Sequence, residues 1–192
     1  MRRFGCFLVY FFCVSLVWGQ EMAHIELIDA YSGQPVSISE QSSATTMVFI
    51  VTSLNCPYAR LYEERILDLH RQYSGENVFF ALVNPHSWME EENQQRMQQL
   101  TWARDAGIPF LMDSEQEFTR QTGVRKIPEA VVISSGPTGY SIAYKGAIDN
   151  NAQSPASVSV QYLDNAIEAI LSRKRPGPAV TRAVGCNIRS ML

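Results

Sequence analysis

Residues 48–73 read VFIVTSLNCPYARLYEERILDLHRQY, and this stretch decides the fold. The apolar run 47–51 carries Val48, Ile50 and Val51 and is too short for a helix core, so it reads as a buried strand. A polar corner follows at 52–55. Beyond it Ala59, Tyr62, Ile66, Leu69 and Tyr73 recur at steps of three and four, the apolar stripe of a helix lying on a sheet. Pro57 suits a first helical turn, where its missing N–H has no intrahelical partner. Cys56 therefore stands where a buried strand hands over to a helix N-terminus. Unpaired N–H groups and the helix dipole favour thiolate there, and the thiolate is the nucleophile of disulfide exchange and peroxide reduction. A small buried cysteine used for packing is the plainer alternative.

Upstream, Arg2 and Arg3 precede an uncharged apolar run over 4–17, and Val17, Trp18 and Gly19 offer a cleavage site. Residues 1–19 read as a signal peptide, too short to be an ordinary membrane span. Its removal leaves an exported protein, periplasmic or extracellular, with no stable membrane span. The cysteines fall from four to two, Cys56 and Cys186. The charge moves from −3 to −5, with 14 basic residues against 19 acidic. A mildly acidic domain without a basic stripe gives no reason to expect nucleic acid. Two cysteines in an oxidising compartment either pair or are kept reduced by a partner.

Further along, residues 24–38 suggest a hairpin around Tyr31, Ser32 and Gly33, and 78–83 a second buried strand. Ser87 and Glu90 have capping-box spacing, and Gly107 stands at a C-cap position, predicting one helix of about five turns between them. A strand at 109–112 follows, then a short helix opened by Ser114 and Glu117. Strands at 129–134 and 140–145 flank a Gly-Pro-Thr-Gly turn, and a last helix spans 160–171. This order is α/β with a mixed sheet. Residues 20–172 form one domain, and 173–192 a tail carrying Cys186.

Cys56-Pro57-Tyr58-Ala59 at a strand–helix corner, with Lys126-Ile127-Pro128-Glu129 before a strand–turn–strand, resembles the thioredoxin fold. The inserted helix and strand resemble the peroxiredoxin-like and TlpA-like redoxins; GVRKIPEAVVIS, YKGAIDN and TRAVGCNIR extend that resemblance over nearly all of the mature chain. The resemblance implies a thioredoxin-like mixed central sheet flanked by helices, with an inserted helix–strand and a C-terminal helix plus extended tail. It implies Cys56 as nucleophile, Pro128 as a cis-proline facing that sulfur, and Ser53 as the hydroxyl that peroxiredoxins place beside theirs. A trans proline at an edge strand and an ordinary loop serine are the alternatives.

The departures carry weight too. Ala59 replaces the second cysteine of CxxC, which removes local dithiol exchange. Phe49 stands where peroxiredoxins have a proline, and the activating arginine has only Arg60 and Arg125 as candidates. An oxidised Cys56 could be resolved by Cys186, brought near as the tail folds back over the domain, or by an external thiol; a permanent Cys56–Cys186 bond, an intermolecular bridge and a free thiol are the other readings of Cys186. The implied function is a thiol oxidoreductase or thiol peroxidase. It would act on a disulfide or peroxide and draw on a thiol reductant protein, with no cofactor. A Cu(I) chaperone using both cysteines and one of His24, His70 or His86, and a silent scaffold stapled by Cys56–Cys186, are the alternatives. Glu90, Glu91 and Glu92 read as a charged helix start.

Overall fold

The computed structural model describes residues 21–137 and 139–191; the expected signal peptide lies outside them. Its strands are β1 (Glu26–Asp29), β2 (Pro35–Ser37), β3 (Thr46–Val51), β4 (Val78–Asn84), β5 (Phe110–Met112), β6 (Lys126–Ile127), β7 (Glu129–Gly136), β8 (Gly139–Gly146) and β9 (Cys186–Asn187). The helices are α1 (Pro57–Arg60), α2 (Glu63–Gln72), α3 (Gln94–Met97), α4 (Thr101–Asp105), α5 (Glu117–Thr122) and α6 (Tyr162–Leu171). Seven strands form one mixed sheet in the order β2-β1-β5-β4-β3-β7-β8, parallel only at β3–β4 and β4–β5. Strands β6 and β9 make a separate antiparallel ribbon.

The central strand β3 is buried throughout and alternates its side chains as a pleated strand must. Val48 and Ile50 face a core with Tyr62, Ile66 and Leu67 of the Cys56 arm and Leu163, Ala166 and Ile167 of α6. Met47, Phe49 and Val51 face a second core with Phe118, Val131 and Ile133, which also takes in Cys56 and Ile127. Both faces of the sheet are thus covered. That is why the run at 47–51 is continuously apolar rather than alternating.

Three expectations change in detail. The Cys56 helix is broken into α1 and α2 at Leu61 and Tyr62, where ψ relaxes to −15° and −7°, although its apolar stripe faces inward as expected. The single long helix between Ser87 and Gly107 does not form. Residues Glu90–Glu92 make a 3-10 turn, Asn93 turns extended (φ −67°, ψ 174°), and its side chain caps α3 by accepting from Arg96 N at 3.1 Å. Ser87 instead meets Ser114 Oγ at 3.1 Å. Nor does Ser114 cap α5: Asp113 is the acceptor, taking Phe118 N at 3.1 Å, Thr119 N at 2.9 Å and the Thr119 hydroxyl at 2.6 Å.

After α6 the chain runs as an extended tail. Residues 179–181 lie along β8, with Lys145 N donating to Ala179 O at 2.9 Å and Thr181 N to Lys145 O at 3.0 Å. Gly146, at φ +148°, makes this approach possible, since a Cβ there would lie 2.2 Å from Thr181 Oγ1. The tail then crosses to β6, and Ile188 N donates to Arg125 O at 3.2 Å.

Candidate active site

Cys56 is the N-cap residue of α1, its backbone still extended (φ −91°, ψ 114°), with Pro57 as the first helical residue. Its side chain is 2% exposed and belongs to the second core. The sulfur is bonded to Cys186 Sγ, with the two α-carbons 6.1 Å apart and a sequence separation of 130. The extended tail does fold back over the domain, and it brings to Cys56 the thiol that Ala59 could not supply.

The Ile127–Pro128 bond is cis. Ile127 O lies 3.3 Å from Cys56 Sγ. In the bonded state that sulfur has no proton to give, so this is a packing contact; a reduced Cys56 could donate to it. Glu129 shapes the loop ahead of the proline, its Oε2 accepting from Arg125 N at 2.8 Å and Lys126 N at 2.9 Å. Gly185 presses on the same corner. A Cβ there would sit 1.9 Å from Ile127 O and 2.6 Å from Ile127 C, backbone atoms that have no rotamer to yield.

The residue that sequence reasoning missed is Glu92. It is 1% exposed, and its carboxylate organises the loop that delivers Cys56. Oε1 accepts the Ser53 hydroxyl at 2.6 Å and Asn55 N at 3.0 Å; Oε2 accepts Leu54 N at 2.8 Å and Asn84 Nδ2 at 3.1 Å. Four donors around one buried carboxylate satisfy the rule that a buried charge must be hydrogen-bonded. Ser53 is thereby placed near Cys56 but gives its one proton to Glu92, leaving only lone pairs for anything else. A signal existed in Asn84, a buried polar residue ending an apolar strand, which needs a partner.

Among the described residues neither candidate arginine hydrogen-bonds the sulfur. Arg60 is exposed and donates from Nη2 to Leu54 O at 3.3 Å, and Arg125 is exposed beside β9. The histidines are spread apart. His24 is exposed at the end of a 3-10 turn, and His70 stands edge-on to Phe80 at 5.5 Å. His86 is buried, and its Nε2 accepts Arg189 N at 2.9 Å, so it latches the tail. Burial lowers its pKa, with Arg189 acting in the same sense and Glu92 and Glu91 opposing. Gln116 completes the latch, donating to Arg189 O at 2.7 Å and accepting Met191 N at 3.2 Å. Among the described residues no group of three or more His, Cys, Asp or Glu gathers as a metal site. A cavity of about 380 Å³ opens behind the Cys56 loop, lined by Ser53, Asn55, Arg60, Glu63, Arg96 and Trp102, but neither bonded sulfur lines it.

A cysteine at a strand–helix corner, faced by a cis-proline loop on a mixed sheet covered on both sides, defines a thioredoxin-like protein. The chain belongs to the redoxin family, which matches residues 18–158. The tail and Cys186 lie beyond that match. Among curated proteins no match was found. Solved structures with a similar fold include a hypothetical protein from Sinorhizobium meliloti (TM-score 0.73, 23% identity, 85% of this chain and 89% of that one). An uncharacterized conserved protein from Geobacillus kaustophilus gives 0.74 at 19% identity, covering 87% and 88%. A peroxiredoxin Q variant from Xanthomonas campestris gives 0.52 at 11%, covering 80% and 91%. These likenesses show the fold, and the family supplies the general function, thiol-based redox chemistry.

Proposed function

We propose that this redoxin is an exported thiol–disulfide oxidoreductase whose working couple is Cys56 and Cys186. The observation that carries the reading is the bond between the two cysteines, made across the cis-proline corner by a tail anchored for that purpose. Cys56 is the nucleophile toward a disulfide substrate, which it reaches when, in the reduced protein, the two-residue pairing of β9 with β6 opens and uncovers it. Its thiolate attacks one substrate sulfur and expels the other as a thiolate. Cys186 then attacks Cys56 Sγ in the mixed disulfide, releasing the second substrate thiol and leaving Cys56–Cys186 oxidised. Pro128 and Ile127 wall the site, and Ser53, through Glu92, holds the loop in place.

Disulfide exchange is favoured over peroxide reduction by the fate of the donors. The Ser53 proton is committed to Glu92, and the Arg60 guanidinium donates to Leu54 O. Export is supported by the charged and then apolar run over 1–19 and by the disulfide itself, which persists in oxidising compartments. The similar fold of an exposed lipoprotein thioredoxin from Streptococcus pneumoniae, at 14% identity and TM-score 0.55, is compatible with it. The test is turnover of the reduced protein with a peptide disulfide and, separately, with hydrogen peroxide. Faster reaction with the disulfide, abolished in Cys56→Ser, is expected; turnover with peroxide alone would replace this reading with the peroxidase.

A further inference from the structure

The two bonded sulfurs are not equivalent. Cys56 is 2% exposed, closed in by Ile127 O at 3.3 Å and by the tail at Gly185, which leaves no room even for a methyl group against Ile127. Cys186 sits on an outer strand and is partly exposed, between exposed Val184 and Asn187. A thiolate must reach the sulfur it attacks, and access decides which sulfur that is. We infer, resting on the couple proposed above, that electrons enter this protein at Cys186, delivered by a dithiol partner, with Cys56 as the leaving group.

The step balances. The partner's thiolate bonds to Cys186 Sγ as the Cys56–Cys186 bond breaks, and Cys56 leaves as a thiolate. A single thiol can go no further. The tail on either side of Cys186 stays held, by Lys145 and Thr181 before it and by Arg125, His86 and Gln116 after it. The freed Cys56 thiolate therefore remains beside the mixed disulfide and re-forms the original bond, expelling the monothiol. A second thiol on the same partner escapes this reversal. It attacks the partner's own first sulfur, closes the partner's disulfide and releases Cys186 as a thiolate that takes up a proton. Two electrons pass to the couple and the dithiol is oxidised.

The surroundings add a second requirement on the partner. Residues 172–192 contain no acidic side chain, and Arg125, Arg182 and Arg189 are exposed around the bonded strand, with Lys126 Nζ on Asn187 Oδ1 at 2.6 Å. An approaching thiolate meets a cationic rim, which favours a dithiol set in an acidic surface. This entry sulfur lies outside the residues matched by the family.

The test uses the oxidised full chain with 2-mercaptoethanesulfonate, an anionic monothiol, quenched with acid at early times. Remaining thiols are then alkylated and each peptide is weighed. The expected result is probe on Cys186 and alkyl label on Cys56, in excess by on the order of tenfold, because attack follows access. Probe on Cys56, or equal labelling, overturns the inference while leaving the redox couple intact. A bond that also resists dithiothreitol until the chain is unfolded overturns the couple itself. Arg182→Glu with Arg189→Glu should slow the anionic probe and speed cationic cysteamine, and a parallel change in both rates would remove the acidic-partner requirement.

Discussion

Replacing Glu92 by alanine isolates what holds the Cys56 loop. The carboxylate accepts from the Ser53 hydroxyl, Leu54 N, Asn55 N and Asn84 Nδ2, all within 3.1 Å. The two buried donors, Ser53 Oγ and Asn84 Nδ2, each cost about 1–3 kcal/mol when left without a partner, whereas Leu54 N and Asn55 N, in a partly exposed segment, recover most of theirs from water. Summed over four donors with that recovery, Glu92→Ala should lose roughly 3–5 kcal/mol, at the severe end for one substitution. In a chain of this size that is a fall in Tm of about 6–20 °C. Glu92→Gln keeps one acceptor oxygen and should lose roughly half as much. Denaturant titration gives the stability change, and alkylation of reduced Cys56 gives its local consequence: a loosened loop should alter Cys56 labelling while leaving Cys186 unchanged. Wild-type stability in Glu92→Ala, with unchanged Cys56 labelling, would refute the claim that this carboxylate builds the corner.

Other outcomes follow from the same geometry. Cys186→Ser should lower stability under oxidising conditions by about 4–5 kcal/mol in the chain-entropy model for a loop this long, and by nothing once both proteins are reduced. Gly185→Ala should hinder pairing of β9 with β6, read as slower reoxidation of the reduced protein; wild-type reoxidation would show that the tail can shift away from Ile127 O. His86 gives a pH signature. Its folded pKa lies below the usual 6.5, so as pH falls the unfolded chain takes up the proton first. Stability present above that value is lost as pH drops through it toward the folded pKa. His86→Gln should flatten this slope in urea titrations between pH 7 and 5, roughly the window in which histidine titrates. His70, also lowered by burial, is the control, since its substitution should flatten the slope without loosening residues 187–191.

Much of the fold was legible because local and tertiary demands agree. The run at 47–51 is apolar on both faces and sits at the centre of the sheet, and the stripe from Ala59 to Tyr73 faces the core even across the break at Leu61. The strand–helix corner at Cys56 was readable from the residues themselves, and the cis bond at Pro128 only through the resemblance to the thioredoxin fold. Glu92 was not. Three consecutive glutamates read as a solvated helix start, and three of the four donors that turn one of them inward lie some 38 residues away, in a loop whose path depends on the whole sheet. The same turn is why the helix expected up to Gly107 breaks at Asn93. His86 entered only as one of three histidines open to a copper site, since its partner is a backbone N–H of a tail 103 residues later. For Cys186, sequence could supply only the need for a second thiol; the ribbon with β6 and the glycine against Ile127 supply the placement.

The central claim is that Cys56–Cys186 is a reversible couple rather than a permanent staple, and its midpoint potential tests this most directly. The protein is equilibrated in dithiothreitol buffers of graded ratio, and the bonded fraction is read by peptide mass. A working couple predicts full reversibility with a midpoint above about −300 mV, the range of exchange-active disulfides. A bond that stays closed until the potential falls below that value, or that fails to re-form in the folded protein, would contradict it.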